Sequence, residues 1–218
     1  MKGLLIKDFC ILKNQIRFFV IVFGMGLVFL FTNESPEAAM GYITVLASML
    51  VLTTMSYDEF EKGMSFLMTL PVSKAVYVWE KYVLGIIIGT GMSFLTALVA
   101  FFVFKIRAIS YPTSLYLHSG FLIWGISYLF LAIMIPVQLK FGSEKGRYAK
   151  LVVIVVASGV SFLVVKALSL LGIDVIAALK TLLNTSMWLG FAAITTFCML
   201  LYVVSAFISL GIMKKKEF

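Results

Sequence analysis

Six apolar runs, each near the roughly 20 residues that a helix needs to cross a bilayer, leave this chain of 218 residues few folds to choose from. They cover residues 18–32, 38–56, 82–104, 117–139, 150–171 and 187–212. Backbone in contact with hydrocarbon must satisfy its hydrogen bonds internally, so each run predicts a helix. At 62% hydrophobic and 13% charged, with a mean hydropathy of +1.08, the composition is that of a polytopic membrane protein. The fold class expected is all-α, a single transmembrane domain over residues 1–218 with six spans. The first run is the shortest and needs the segment before it, or local thinning, to cross fully. That segment, residues 1–17, repeats Leu5, Phe9, Leu12 and Ile16, with Lys7, Asn14 and Arg17 opposite. It reads as an interfacial amphipathic helix with its apolar stripe in the lipid. The polar lead is long and no small-x-small cleavage site follows the first run, so the start does not read as a signal peptide.

Charge sets the orientation. Fourteen of the eighteen lysines and arginines fall before the first span, between spans 2 and 3, between spans 4 and 5, and after span 6. Lys105, Arg107, Lys166 and Lys180 are on the other side. The positive-inside rule then makes both termini and the loops 57–81 and 140–150 cytosolic. The net charge of +8 is accounted for by this asymmetry, so nucleic acid is not an expected partner. On the outer side, residues 172–186 mix apolar residues with Asp174 and Lys180, the pattern of a re-entrant or surface segment.

The chemistry absent from the chain narrows its function. No G-x-x-x-x-G-K-[ST] run exists to cradle phosphates, and no HExxH or paired-aspartate pattern appears, so the chain is not expected to be an enzyme. Acidic residues do not occupy the centres of the runs, where an ion-coupled carrier places them. Lys166 is near enough to the outer end of its run to snorkel, and His118 starts a run as an interfacial side chain. Cys10 and Cys198 lie far apart in apolar settings and read as small hydrophobes, with no metal site. Gly85-x-x-x-Gly89, Gly91, Gly24 and Gly26 offer surfaces for close helix approach.

What stands out is a polar island at residues 57–74. Wound as one helix, it places Tyr57, Phe60, Met64 and Leu67 on one face and Asp58, Lys62 and Ser65 on the other. Pro71 ends it and Ser73 can cap the next helix, which is expected to project beyond the membrane. A solvated loop lying on the membrane surface fits the same pattern.

The residues Glu59-x-Glu61-Lys62-Gly63, Phe66-Leu67-x-x-Leu70-Pro71-Val72-Ser73-Lys74 and Val78-x-x-Lys81-Tyr82 resemble the first cytosolic loop of bacterial type-2 ATP-binding-cassette (ABC) transporter permeases. The opening Met1-Lys-Gly-Leu-Leu-Ile-Lys-Asp-Phe9 is similar to the start of the small six-span members, above all the permeases of phenol-soluble-modulin-type peptide exporters. Lys74 departs from the arginine more frequent in the pattern. The resemblance implies that residues 1–17 are a connecting helix and residues 57–74 a coupling helix, seated on a separate ABC ATPase subunit. Phe60, Met64 and Leu67 would enter the ATPase groove, and Glu59, Glu61 and Lys62 would form its polar rim. Gly63, Phe66, Leu70, Pro71, Ser73 and Lys74 complete the motif. A second, smaller contact is implied at Gly142, Glu144, Lys145 and Arg147.

The expected function is therefore the permease subunit of an ATP-driven exporter, with amphipathic or antimicrobial-type peptides as cargo. It would work as a homodimer or beside a related permease in the lipid bilayer. No cofactor is expected in this chain, since ATP and magnesium would bind the partner subunit. The alternatives are an ABC permease for a drug, ion or lipid-linked compound, and a stand-alone immunity or binding protein that sequesters a membrane-active peptide.

Overall fold

The computed structural model describes residues 1–32, 36–60, 63–108, 113–170 and 187–216, which form seven helices and, among them, no strand. In chain order these are α1 (Lys2–Asn14), α2 (Ile16–Thr32), α3 (Glu37–Glu59), α4 (Gly63–Thr69), α5 (Lys74–Ile106), α6 (Thr113–Leu170) and α7 (Met187–Lys215). The re-entrant or surface segment expected at 172–186 lies outside the described residues.

Four helices are long and apolar enough to cross a membrane: Glu37–Glu59, Lys74–Ile106, Tyr116–Gly142 and Gly190–Lys215. The α1–α2 pair, bent by 64° at Gln15, makes a fifth if it is counted as one broken span. The fifth run, 150–171, corresponds to the second limb of α6, which is helical to Leu170. Most of its side chains lie outside the described residues. The two limbs of α6 meet at Gly142, whose φ of 73° and ψ of −176° interrupt the helix. A residue without a Cβ takes that conformation at little steric cost, so glycine sets where the chain turns.

The long α5 is explained by its ends. Pro71 removes the amide that would extend α4, and the Ser73 hydroxyl accepts from the Val76 amide at 3.3 Å, capping a new helix. At 33 residues, α5 measures about 50 Å, longer than the hydrocarbon thickness of about 30 Å.

Helix α3 is central and packs against α2, α5 and α6, while α6 lies along α7. Two cores fill the bundle. The larger joins α3, α5, α6 and α7 through Leu50, Tyr77, Leu84, Leu131, Ile135 and Met213. The smaller, at the other end, holds Leu30, Met40, Ala100 and Phe104 together. There the Arg107 guanidinium donates to the Leu30 carbonyl at 2.8 Å, closing the end of α2. Close approach at glycine is real at two of the expected positions. A Cβ at Gly26 would stand 2.2 Å from Ile43 Cδ1, and one at Gly85 would stand 2.4 Å from the Tyr202 hydroxyl. Tyr202 uses that space to donate to the Tyr82 carbonyl at 2.8 Å, while the Tyr82 hydroxyl meets Ser205 and Ser209.

Of the stripe expected to face the lipid, Phe9 and Ile16 are exposed, but on α1 Leu12 turns inwards and is buried with Leu4 and Asp8. The helix turns its one carboxylate inwards because buried cations wait there, as described below. His118 is buried rather than interfacial, its ring stacked on Phe191 at 4.6 Å between centroids.

Candidate functional site: a tethered polar connector

The island between α3 and α5 is not one helix. The backbone leaves helical geometry at Phe60 (φ −66°, ψ 140°), and the seven-residue α4 follows from Gly63. The common face expected for Tyr57, Phe60, Met64 and Leu67 is therefore not formed. Met64 and Leu67 point inwards and join the larger core. Phe60 and Phe66 are 68% and 69% exposed, with Leu70 at 46%. The apolar residues that face outwards are thus Phe60, Phe66 and Leu70, and the two buried ones are the connector's anchors. Asp58, expected on the polar outer face, is buried as well. Glu61 and Lys62 lie outside the described residues, as do the side chains of Glu144, Lys145 and Arg147.

Each end of the connector is tied down by charge. On the inner side, Lys81 of α5 is fully buried and pairs with Asp8 of α1 and with Asp58 of α3, the latter at 2.9 Å. Its ammonium also donates to the Thr54 hydroxyl at 3.2 Å and lies 5.2 Å above the Tyr77 ring. Lys7 bridges the same two aspartates, bonding Asp58 and standing 3.2 Å from Asp8. The Tyr77 hydroxyl donates to Asp58 at 3.1 Å, and the buried Glu80 carboxylate comes within 3.6 Å of Lys81. Burying an ion costs several kcal/mol unless it is paired and hydrogen-bonded, so the cluster persists only while all its members stay together. It therefore fixes α1, the end of α3 and the start of α5 to one another.

A second tie runs through the end of α7. Lys216 donates to the Leu139 carbonyl at 3.1 Å and pairs with Glu59 at 3.6 Å, while its own carbonyl accepts from Lys74 at 2.6 Å. Gly142 completes this corner. Its absent Cβ would stand 3.6 Å from the Glu59 carboxylate, so the turn in α6 sits against the same residue. Of the sequence-derived site residues, Glu59, Lys74 and Gly142 are thereby brought together, and Ser73 caps α5 beside them. Pro71 and Gly63 mark the two ends of α4.

Sequence reasoning gives no such role to Asp8, Asp58, Lys81, Glu80, Tyr77 or Lys216, although Asp58 and Lys81 stand in the stretches quoted above. A signal for the first was present. Asp8 stands four residues from both Leu4 and Leu12, an acid in the middle of an apolar stripe. Among the described residues no group of three or more His, Cys, Asp or Glu side chains is arranged to hold a metal ion.

All four basic segments, at the start of the chain, at 57–81, around 140 and at the end of α7, meet at one end of the bundle through these contacts. Neither a curated protein nor a solved structure matches the chain. A family model described as ABC-2 family transporter protein covers residues 3–214, nearly the whole length, and the chain belongs to that family of ABC transporter membrane components.

Proposed function

We propose that the chain is the permease subunit of an ATP-driven exporter and that α4, with the residues on either side of it, is the element its ATPase pushes. The observation that carries this reading is the exposed apolar trio Phe60, Phe66 and Leu70 on a connector whose two ends are held by buried charge. A solvated surface loop has no need of either feature. Membership of an ABC transporter family supplies the partner, an ABC ATPase that binds ATP and magnesium. The fourteen cations gathered on one side support cytosolic termini, and the resemblance to bacterial permeases supports a bacterial plasma membrane. Two copies pair, and amphipathic peptides are the cargo, a reading supported by the resemblance of the island to peptide-exporter permeases.

The coupling surface is tested by introducing one charge on the outward face. Phe66→Asp buries a carboxylate in the interface without touching the permease core. It weakens ATPase association by about 2 kcal/mol, roughly thirtyfold, the scale of an interface hot spot. Ser65→Asp, exposed on the neighbouring face, costs less than about fivefold. Equal ATPase capture and equal peptide export by the two variants would refute the assignment. Export of an amphipathic helical peptide by the reconstituted pair, compared with a cationic dye and a lipid-linked sugar, tests the cargo.

A further inference from the structure

The bend at Gln15 holds α1 and the start of α2 apart from α5, and an open groove of about 560 Å3 lies between them. One wall carries Leu12, Lys13 and Ile16, and the other carries Ile88, Gly91 and Leu95. From Ile88 to Leu95 the wall runs about 10 Å along α5. At Gly91 a Cβ would find no atom within 4 Å, so the missing side chain leaves the slot open.

The cation on its wall, Lys13, sets it apart from an ordinary lipid-facing crevice. Lys7, Lys74, Lys81, Arg107 and Lys216 are all engaged with carboxylates or carbonyls. Lys13, which lines the groove, and Arg17, the next cation along the chain just past the bend, are exposed and form no ion pair among the described residues. An apolar slot with an unpaired cation on its wall, and a second close by in the chain, is complementary in shape and charge to an anionic amphiphile. In a bilayer that amphiphile is a phospholipid. A headgroup phosphate satisfies the cations, and an acyl chain fills a slot that water would occupy at a cost.

We propose that this groove binds one anionic phospholipid, its phosphate at Lys13 and Arg17 and an acyl chain along Ile88, Gly91 and Leu95. The site depends on neither the cargo nor the ATPase contact proposed above. Occupied, it fills the inside of the α1–α2 elbow and props α1 at the angle at which Asp8 reaches Lys81.

The full chain in detergent, titrated with dioleoyl phosphatidylglycerol and followed by native mass spectrometry, tests this. Wild type takes up one lipid per chain saturably, and phosphatidylcholine binds more weakly. Lys13→Gln with Arg17→Gln lowers phosphatidylglycerol affinity roughly thirtyfold, to the level of phosphatidylcholine, at about fivefold per lost cation. Gly91→Phe, which fills open space, lowers the affinity for both lipids at least tenfold. Gly91→Leu repeats the test should the larger ring impair folding. Unchanged lipid binding in a folded Gly91 variant overturns the proposal. So does full displacement of the lipid by millimolar inorganic phosphate, which would reduce the site to an anion contact. A Gly91 variant that loses self-association and keeps its lipid overturns it in favour of a second copy as the occupant.

Discussion

Removing Lys81 should expose how much of this fold depends on charge held out of water. The Lys81 ammonium is fully buried and contacts Asp8, Asp58 and Thr54, with Glu80 at 3.6 Å. Lys81→Met keeps the aliphatic stem and its packing but strips Asp8 and Asp58 of their shared cation. Lys7 remains, with its side chain 32% exposed and on one side only of the pair. Breaking a buried ion pair by deleting one partner costs about 3–5 kcal/mol, because the surviving charge is left without compensation. An exposed pair would cost about 1 kcal/mol or less. The two outcomes are far enough apart to measure by denaturant unfolding of the purified chain in detergent. A local probe adds the mechanism. Leu4 is buried on α1, so a Leu4→Cys reporter, in a background of Cys10→Ser and Cys198→Ser, is protected from maleimide while α1 is docked. In Lys81→Met it becomes reactive. Adding Asp8→Asn and Asp58→Asn removes the stranded charges and restores at least half of the lost stability, together with protection of Leu4→Cys. Less than about 1 kcal/mol of loss, with Leu4→Cys still protected, would show that the cluster does not hold α1 in place.

Three further outcomes follow from single positions. Gly85→Ala puts a methyl 2.4 Å from the Tyr202 hydroxyl and 3.1 Å from Leu131 Cδ1, so it costs about 1–3 kcal/mol by overpacking; combined with Tyr202→Phe, the two cost less than their sum in the same unfolding assay. Gly142→Ala forces a side chain into positive φ beside Glu59 and costs about 1–2 kcal/mol, whereas Gly41→Ala, in open space on α3, is neutral or slightly stabilising. In the cysteine-free background, Ser73→Cys is labelled from the cytosol only and Ala108→Cys from outside only; labelling of both from one side would overturn the orientation drawn from the cations.

The helices were legible in the sequence because lipid permits so little else. Runs near 20 apolar residues read directly as α3, α5, the first limb of α6 and α7, and the Pro71–Ser73 signal located the start of α5 within one residue. What failed was the choice of face. Winding residues 57–67 at a constant 3.6 residues per turn assumes an unbroken helix, and the break at Phe60 rotates everything after it. Periodicity alone therefore puts Met64 and Leu67 on the outside when they are the anchors, and Phe66 and Leu70 enter only through the resemblance. On α1 the lipid-facing stripe through Leu5, Phe9, Leu12 and Ile16 leaves unsaid that Asp8 turns inwards and takes Leu12 with it. Only the partner of Asp8 decides that, and it lies 73 residues away. Long-range pairing of this kind leaves almost no local trace.

The inward turn of Met64 and Leu67 also bears on how a push on the connector would be carried. A helix of seven residues has no stability of its own in water, so α4 exists only because those two side chains are buried in the larger core. Its flanks are no freer. Asp58 and Glu59 precede it and Lys74 and Lys81 follow it, and each of the four is paired to a different helix or to the end of the chain. A force applied at Phe66 therefore has no slack loop in which to dissipate. Under the proposed coupling it passes through Met64 and Leu67 into α3 and α5, and through Asp58 and Lys81 into α1, so that the elbow at Gln15 moves with the spans. An isolated surface loop would be expected to yield first, with the spans unmoved. The distinction lies in side chains that face away from the ATPase: truncating Leu67 to Ala should leave ATPase capture intact while reducing export, because the contact would persist and its connection to the bundle would not.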